Sequence, residues 1–413
     1  MSRTFAHAEA SAHPTMSASW NPRCLGCRRG PARGTLQRMA SHTADRVRAR
    51  LSSLAAAGLN AHAFCQAATD LIRQAVPFEY ACLATTDPAT GLITSTVKSD
   101  SGDGHDEEYA RYEYEVDDLN QFAEIAHRRT PVGVLDLDTD GRPDRSVRFR
   151  EFLLPVFSFG HELRAAFRSG AAVWGGIAMC RTVGSRGFSP AEADFMAGIA
   201  ATVATGIRAG LVSQAGTCPV DARGPAVLVV GADNQVAQAT PAADTRVAQL
   251  SGREPGGGNI GELPMPVLSI TAAARAFAAG RTGVVPKIRV RTTSGQWLVL
   301  HAAPLQGSDG RRGEVVVTLD EARAPEVMPL LAAGFGLTAR EQDIVELVLR
   351  GADTTEIART LYLSPYTVQD HLKAVFAKVG VNSRRQLSAR VFVEHYAPRL
   401  GAPLSIAGWF QPR

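Results

Sequence analysis

The sequence predicts a multidomain chain: two α+β units in series, then an all-α tail of four short helices. Three observations lead there. Strand-like runs joined by turns holding Pro and Gly occur in two separate regions, each flanked by stretches with apolar residues at helical spacing. From Leu337 onward strand signals vanish and helix-cap signals recur at short intervals. A length of 413 residues suits about three domains, and 45% hydrophobic with 20% charged residues supplies several cores.

Residues 1–40, rich in Ala, Ser, Pro and Arg and without periodicity, read as a disordered segment. They contain no apolar stretch of signal-peptide type. Cys24 and Cys27 make a C-x-x-C, yet no second pair follows at zinc-ribbon spacing, so no metal site is expected. Met39, just ahead of a helical pattern, is a candidate start of translation.

Residues 41–212 read as one α+β unit. Val47, Leu51 and Leu54 share one helix face, and Phe64, Ala68, Leu71 and Ile72 share another, before Pro77 breaks the pattern. FEYACLATT and GLITSTVK flank Asp87, Pro88, Ala89, Thr90 and Gly91, a hairpin signal. A helix is expected around Leu119 to His127, then an irregular stretch rich in Asp and Arg. ELRAAFR and AAVWGGIAMCRT form a second hairpin through Ser169 and Gly170. Ser189, Pro190 and Glu192 then cap a helix whose Phe195, Ile199, Val203, Ile207 and Leu211 recur every four residues, suiting a core on one side and a partner helix on another.

After a linker at 213–224, residues 225–320 run strand (AVLVVG), turn (Asp233, Asn234), strand (QVAQA), helix from Pro241, Gly-rich loop Gly256 to Gly258, helix Pro266 to Ala279, and three strands. The strands are VPKIRVR, QWLVLHAA and GEVVVTLD. The Gly-rich loop lacks the Lys and Ser or Thr that a phosphate loop needs.

A second linker, 321–336, precedes the tail at 337–396, with 397–413 as a terminal extension. Thr338 and Glu341 have capping-box spacing, so a helix starts near Ala339. Ile344, Leu347 and Val348 are its apolar positions and Gly351 ends it. Asp353 and Glu356 open a second helix carrying Ile357, Ala358 and Leu361. Ser364 with Pro365 at the first helical position opens the third, with Val368, Leu372, Val375 or Phe376, and Val379 buried and Gly380 as its stop. Ser383 and Gln386 open the fourth. Two helices joined by a short turn, the second polar outside, is the layout that lays a recognition helix in a DNA major groove.

Removing the buried stripe leaves Tyr366, Gln369, Asp370, Lys373 and Ala377 on the outer face. Gln pairs with adenine, Asp accepts from cytosine, and Lys takes guanine or phosphate. Gln369, Asp370 and Lys373 are therefore the expected base-facing residues. The tail carries eight Lys or Arg against seven Asp or Glu, so its net charge argues nothing. Distribution argues more: from His371 to Arg390 five cations face no acid. The plain alternative is a helical bundle with a solvated basic face.

The tail resembles the C-terminal domain of LuxR-type transcriptional regulators. The pattern is carried by Leu337, Thr338, Arg340 and Glu341; Glu356, Ile357 and Ala358; Ser364, Thr367 and Val368; and Lys378, Gly380, Val381, Ser383 and Arg384. The resemblance implies DNA binding, with Thr367, His371 and Lys378 as backbone contacts or packing rather than sequence readers; the outer face adds Tyr366, and the acid-free cation run adds Arg384 and Arg385, as expected backbone contacts. Gln369 and Asp370 depart from the basic reading position frequent in that family. The first unit resembles a GAF domain through Asp87, Pro88 and Gly91; Glu162, Leu163 and Arg164; Trp174 and Gly175; and Phe188, Ser189 and Pro190. His161 and Trp174 are its candidate pocket residues, with loop capping and core filling as alternatives. The second unit resembles a PAS domain by element order.

Other chemistries find no footing. No G-x-S-x-G elbow or H-E-x-x-H helix occurs, and the acids around Asp103 to Glu108 and Asp136 to Asp140 read as solvated loop carboxylates. A receiver domain would need α/β alternation. No cofactor is expected: the second unit holds no Cys for flavin, and its one His, His301, lies on a strand. Cys65, Cys82, Cys180 and Cys218 are scattered, implying no disulfide, and no apolar run of eighteen residues is seen, so no membrane partner is expected. The expectation is a cytoplasmic, non-enzymatic regulator binding double-stranded DNA as a homodimer through its long helices and the tail's last helix near Leu387 and Val391. A small-molecule effector and the transcription machinery are its expected partners. The alternative is a sensor or adaptor acting by protein contacts, its tail weakened for DNA by Asp370.

Overall fold

Two antiparallel five-stranded sheets follow one another along the chain, and a helical tail closes it. The computed structural model describes residues 33–99, 104–212, 224–253, 260–306, 313–322 and 324–396. The expectations for Cys24, Cys27, Cys218, the 213–223 stretch, Gly256 to Gly258, the Val391 side chain and residues 397–413 lie outside these.

The first unit begins with α1 (Arg33–Ala55), which starts inside the segment expected to be disordered, and α2 (Ala61–Ala75). Asn60 caps α2 by accepting from the Ala63 N–H at 2.8 Å. Strands β1 (Tyr80–Thr86) and β2 (Ile93–Lys98) form the first expected hairpin, with Gly91 at φ +73° in its turn. Then come α3 (Asp106–Tyr114), α4 (Phe122–His127), β3 (Val132–Val134), α5 (Leu135–Asp138) and α6 (Leu154–Phe157). The second expected hairpin is β4 (Phe159–Ser169) with β5 (Ala172–Thr182), and α7 (Pro190–Val212) closes the unit. The sheet order is β2-β1-β5-β4-β3.

Strand alternation sorts β4 into two environments. Leu163, Ala165 and Phe167 face the core that α2 and α7 cover, whereas Glu162 and Arg164 enter a buried ionic layer. There Arg148 meets Glu162 at 2.7 Å and Asp118 at 3.3 Å, and Arg164 meets Glu113 at 2.6 Å. Helix α7 presses on α2 so closely at Gly206 that a Cβ there would fall 2.0 Å from the Phe64 ring. By length and composition α7 could cross a membrane; here Phe195, Ile199, Val203 and Ile207 fill a protein core instead.

Two expectations need correction. The acids around Asp106 and Asp136 are on helices, not in loops: Asp106, Glu107 and Glu108 make the first turn of α3, where the helix dipole favours them. Nor are they merely solvated, since Asp106 pairs with Lys98, Asp136 with His161 and Asp138 with Arg128. The stretch after α4, expected to be irregular, contributes strand β3 to the sheet.

The second unit comprises β6 (Val227–Val230), β7 (Val236–Ala239), α8 (Pro241–Ser251), α9 (Met265–Ala278), β8 (Lys287–Arg291), β9 (Trp297–Pro304) and β10 (Val315–Glu321). Its sheet, β7-β6-β10-β9-β8, repeats the order of the first, counting strands within each unit. His301 points outward, exposed. Helix α9 is apolar nearly all round because it is covered twice, by its own sheet and by β2 and α3 of the first unit. Ser269 Oγ donates to the Ile93 carbonyl across that junction at 2.7 Å. Beside it Asp87 accepts from the Arg289 backbone N–H at 2.8 Å and from its guanidinium at 2.9 and 2.5 Å.

Residues 321–336, expected as a linker, hold another helix, α10 (Ala324–Gly334), with Pro329 inside it. Val327, Leu330 and Leu331 are buried in the core of the first unit, together with Trp297 from β9. Ala332, one residue on, belongs to the core of the tail. Met328 and Phe335 touch both.

Candidate nucleic-acid interface

The tail is built on caps. It contains α11 (Ala339–Leu349), α12 (Thr354–Thr360), α13 (Pro365–Val379) and α14 (Arg384–Tyr396). Thr338 with Glu341 and Asp353 with Glu356 form complete capping boxes, and Ser364 Oγ accepts from the Thr367 N–H at 3.0 Å. Gly380, at φ +70°, stops α13. Ile344, Val345, Ile357, Val368, Leu372, Val375, Val379 and Leu387 make one small core.

That core fixes which face of α13 looks out. Tyr366, Gln369, Asp370, Lys373 and Ala377 are all exposed, so the three expected base-facing residues share one open side. Asp370 Oδ1 lies 3.3 Å from Lys373 Nζ, which tempers the positive charge of that side.

The expected backbone-contact residues divide. Tyr366 is 75% exposed at the first turn of α13, and Arg385 is exposed at the start of α14. Thr367 Oγ1 sits 2.8 Å from Ser364 Oγ, within the cap. Lys378 and Arg384 are engaged inside the tail. Lys378 Nζ donates to both Glu341 oxygens, at 2.8 and 2.6 Å. Arg384 donates to the Ala352 carbonyl and Thr354 Oγ1, both at 2.8 Å, tying α14 to the start of α12. Burial alone would raise the Glu341 pKa; the Lys378 ammonium and the Thr338 N–H outweigh it and hold the carboxyl below the usual range.

One residue escaped the sequence reading. Tyr362, in the turn between α12 and α13, is 95% exposed and adopts φ +54°, a region that side chains other than Gly enter at a cost. The turn is held by Arg340, whose guanidinium donates to the Leu361 carbonyl at 2.8 Å. Tyr362 therefore stands out from the turn with its ring in solvent. The signal was an aromatic residue inside a helix-joining turn.

The two pocket candidates of the first unit are both engaged within it. His161 Nδ1 is 2.9 Å from Asp136 Oδ2 and Nε2 is 3.0 Å from the Ser185 carbonyl, so the ring joins α5 to the loop after β5. Trp174 is fully enclosed in the core beside α7. Leu387, expected near a dimer seam, is fully buried in the tail's own core and cannot supply that contact.

The profile of the family described as bacterial regulatory proteins, luxR family, matches residues 336–391, the span of these four helices. A helix-turn-helix-type transcriptional regulator of Mycobacterium tuberculosis is 51% identical over 57 residues, which are 14% of this chain and 6% of that protein. The chain thus matches only a small part of that mycobacterial relative. The spore germination protein GerE of Bacillus subtilis is 40% identical over 50 residues, 12% of this chain and 68% of GerE. Among solved structures, the ligand- and DNA-bound VqmA of Vibrio cholerae is similar over 43% of this chain and 84% of its own, at 20% identity and a TM-score of 0.21, too slight a likeness to carry an argument. On the match to GerE and the capped helix-turn-helix that underlies it, the chain belongs to the LuxR family of bacterial regulatory proteins.

Proposed function

We propose that this chain is a sequence-specific, DNA-binding transcriptional regulator whose tail answers to a ligand or partner sensed by the two α+β units. The observation that carries it is the open side of α13, where Gln369, Asp370 and Lys373 project from a scaffold fixed by caps and by a core of its own. Gln369 and Asp370 supply base-edge hydrogen bonds, and Lys373, Tyr366 and Arg385 supply contacts to bases or phosphates. The first unit is read as GAF-like, supported by its antiparallel sheet between terminal helices, and the second as PAS-like, supported by its order of strands and helices. The protein works in the cytoplasm as a homodimer, so that two recognition helices reach half-sites about one helical turn apart. Binding of the full-length chain to genomic DNA fragments across salt concentrations tests this. A regulator selects a preferred site and loses affinity steeply with salt.

The second reading is an adaptor acting through protein contacts. The Asp370–Lys373 pair favours it, because it lowers the positive charge of the reading face. Indifference to both salt and DNA sequence would select it.

A further inference from the structure

A cavity of about 780 Å³ opens where the two α+β units and α10 meet. Its walls come from β1 and β2, the starts of α2 and the end of α7, and from β8, the end of α8 and the approach to α9; Leu330 of α10 closes one side. Small-molecule sites favour such junctions, and this volume falls within their usual range of about 300–1,000 Å³.

The chemistry of the wall narrows the occupant. Asp87 is engaged by Arg289 across the junction, and Lys98 pairs with Asp106 within the first unit at 2.8 Å, so these groups leave little for a ligand. Apolar surface from Leu211, Leu250, Leu263 and Val290 remains, with Ser95 and Thr96 also in the lining. Arg253, exposed in the wall, donates to the Glu262 carbonyl at 2.7 Å and pairs with no carboxylate among the described residues. Taken whole, the wall holds four Lys or Arg against three Asp or Glu. Trp297, buried in the same wall, has an indole N–H without an acceptor among the described residues. An apolar body, a single excess positive charge and an unmet donor together suit one kind of molecule.

We propose that this cavity is an effector site for a small organic monocarboxylate with a hydrocarbon or aromatic body. The apolar walls take the body and Arg253 takes the carboxylate. Leu330 links occupancy to the tail, because its helix is seated in the core of the first unit and enters the core of the tail two residues later. A ligand that favours one seating of α10 shifts the population of tails free to dock on DNA. This regulatory part rests on the proposed DNA-binding function; the binding part does not.

The test uses the full-length protein titrated calorimetrically with octanoate, phenylacetate and indole-3-acetate, and with octylamine as the cationic counterpart. At least one carboxylate should bind once per chain, with octylamine at least tenfold weaker. Ser95→Trp, which projects bulk from an exposed position of the wall, and Arg253→Glu should each weaken that binding at least tenfold while melting temperature stays unchanged. Failure of all three carboxylates to bind, equal binding of octylamine, or full binding by both variants overturns the site. Carboxylate binding that leaves the affinity for a DNA fragment unchanged overturns the link to the tail. Absence of DNA binding with carboxylate binding intact removes the regulator reading and leaves the site.

Discussion

Lys378 Nζ stands 2.6 Å from Glu341 Oε2, so the last turn of α13 is tied to the first turn of α11. A cation in the basic run of the tail thus holds two helices together. Lys378→Ala should destabilise the tail by about 1 kcal/mol or less, as partly exposed pairs do, with little change in the salt dependence of DNA binding. Lys373→Ala should do the reverse, leaving the melting temperature alone and flattening the slope of log affinity against log salt by about 1. Paired thermal melts and salt titrations separate the two.

The same carboxylate makes the tail sensitive to acid. Its pKa is lower folded than unfolded, so its contribution is complete above the ordinary value of an unfolded glutamate and is lost as pH falls through the folded one. Glu341→Gln keeps a hydrogen-bonding cap but not the charge. Melts of the variant between neutral pH and the acid range should show a smaller acid-induced loss of stability than wild type.

Asp370 faces outward next to Lys373. Asp370→Ala should strengthen DNA binding, since it removes the carboxylate that competes with phosphate for Lys373. It should also relax preference at one base pair if Asp370 reads cytosine. Unchanged affinity and unchanged sequence preference would remove Asp370 from the interface.

Tyr362 has no packing role to lose. Tyr362→Ala should leave stability within about 0.5 kcal/mol of wild type. It should weaken DNA binding roughly tenfold, the worth of one hydrogen bond to a charged oxygen. Tyr362→Phe separates hydroxyl from ring: a loss equal to that of Ala assigns the effect to the hydroxyl, and an intermediate one gives the ring a share.

Leu331 is buried where α10 enters the first core. Leu331→Ala should cost about 2–5 kcal/mol, as core truncations do. Because α10 bridges two cores, calorimetry of the variant should resolve the tail's unfolding from that of the sheets. A single unchanged transition would show that α10 does not couple them.

The parts legible in the sequence are those where local chemistry decides. Thr338, Asp353 and Ser364 announce their helices because a cap needs only a side chain and a nearby N–H. Both hairpins of the first unit were readable from turn residues and alternation. Helix α10 was not, since Pro329 and a short apolar run resemble a linker, and only contacts with two distant cores make it a helix worth having. Helix α3 was hidden by its acids, which read as solvated until the dipole at its first turn and Lys98 account for them. In the interface, exposure of Gln369, Asp370 and Lys373 followed from helical periodicity, whereas the capture of Lys378 and Arg384 by Glu341, Ala352 and Thr354 depends on how the helices fold back.

Helix α9 carries apolar surface on both sides, one for its own sheet and one for β2 and α3. Dissecting the chain at residue 213 or thereabouts would therefore leave each fragment with a greasy wound, Ile93 and Leu92 bare on one and the back of α9 bare on the other. Neither half is a natural building block for fusion or expression by itself. For anyone exchanging modules among related regulators, the smallest transferable N-terminal piece is the pair of sheets with α9 between them.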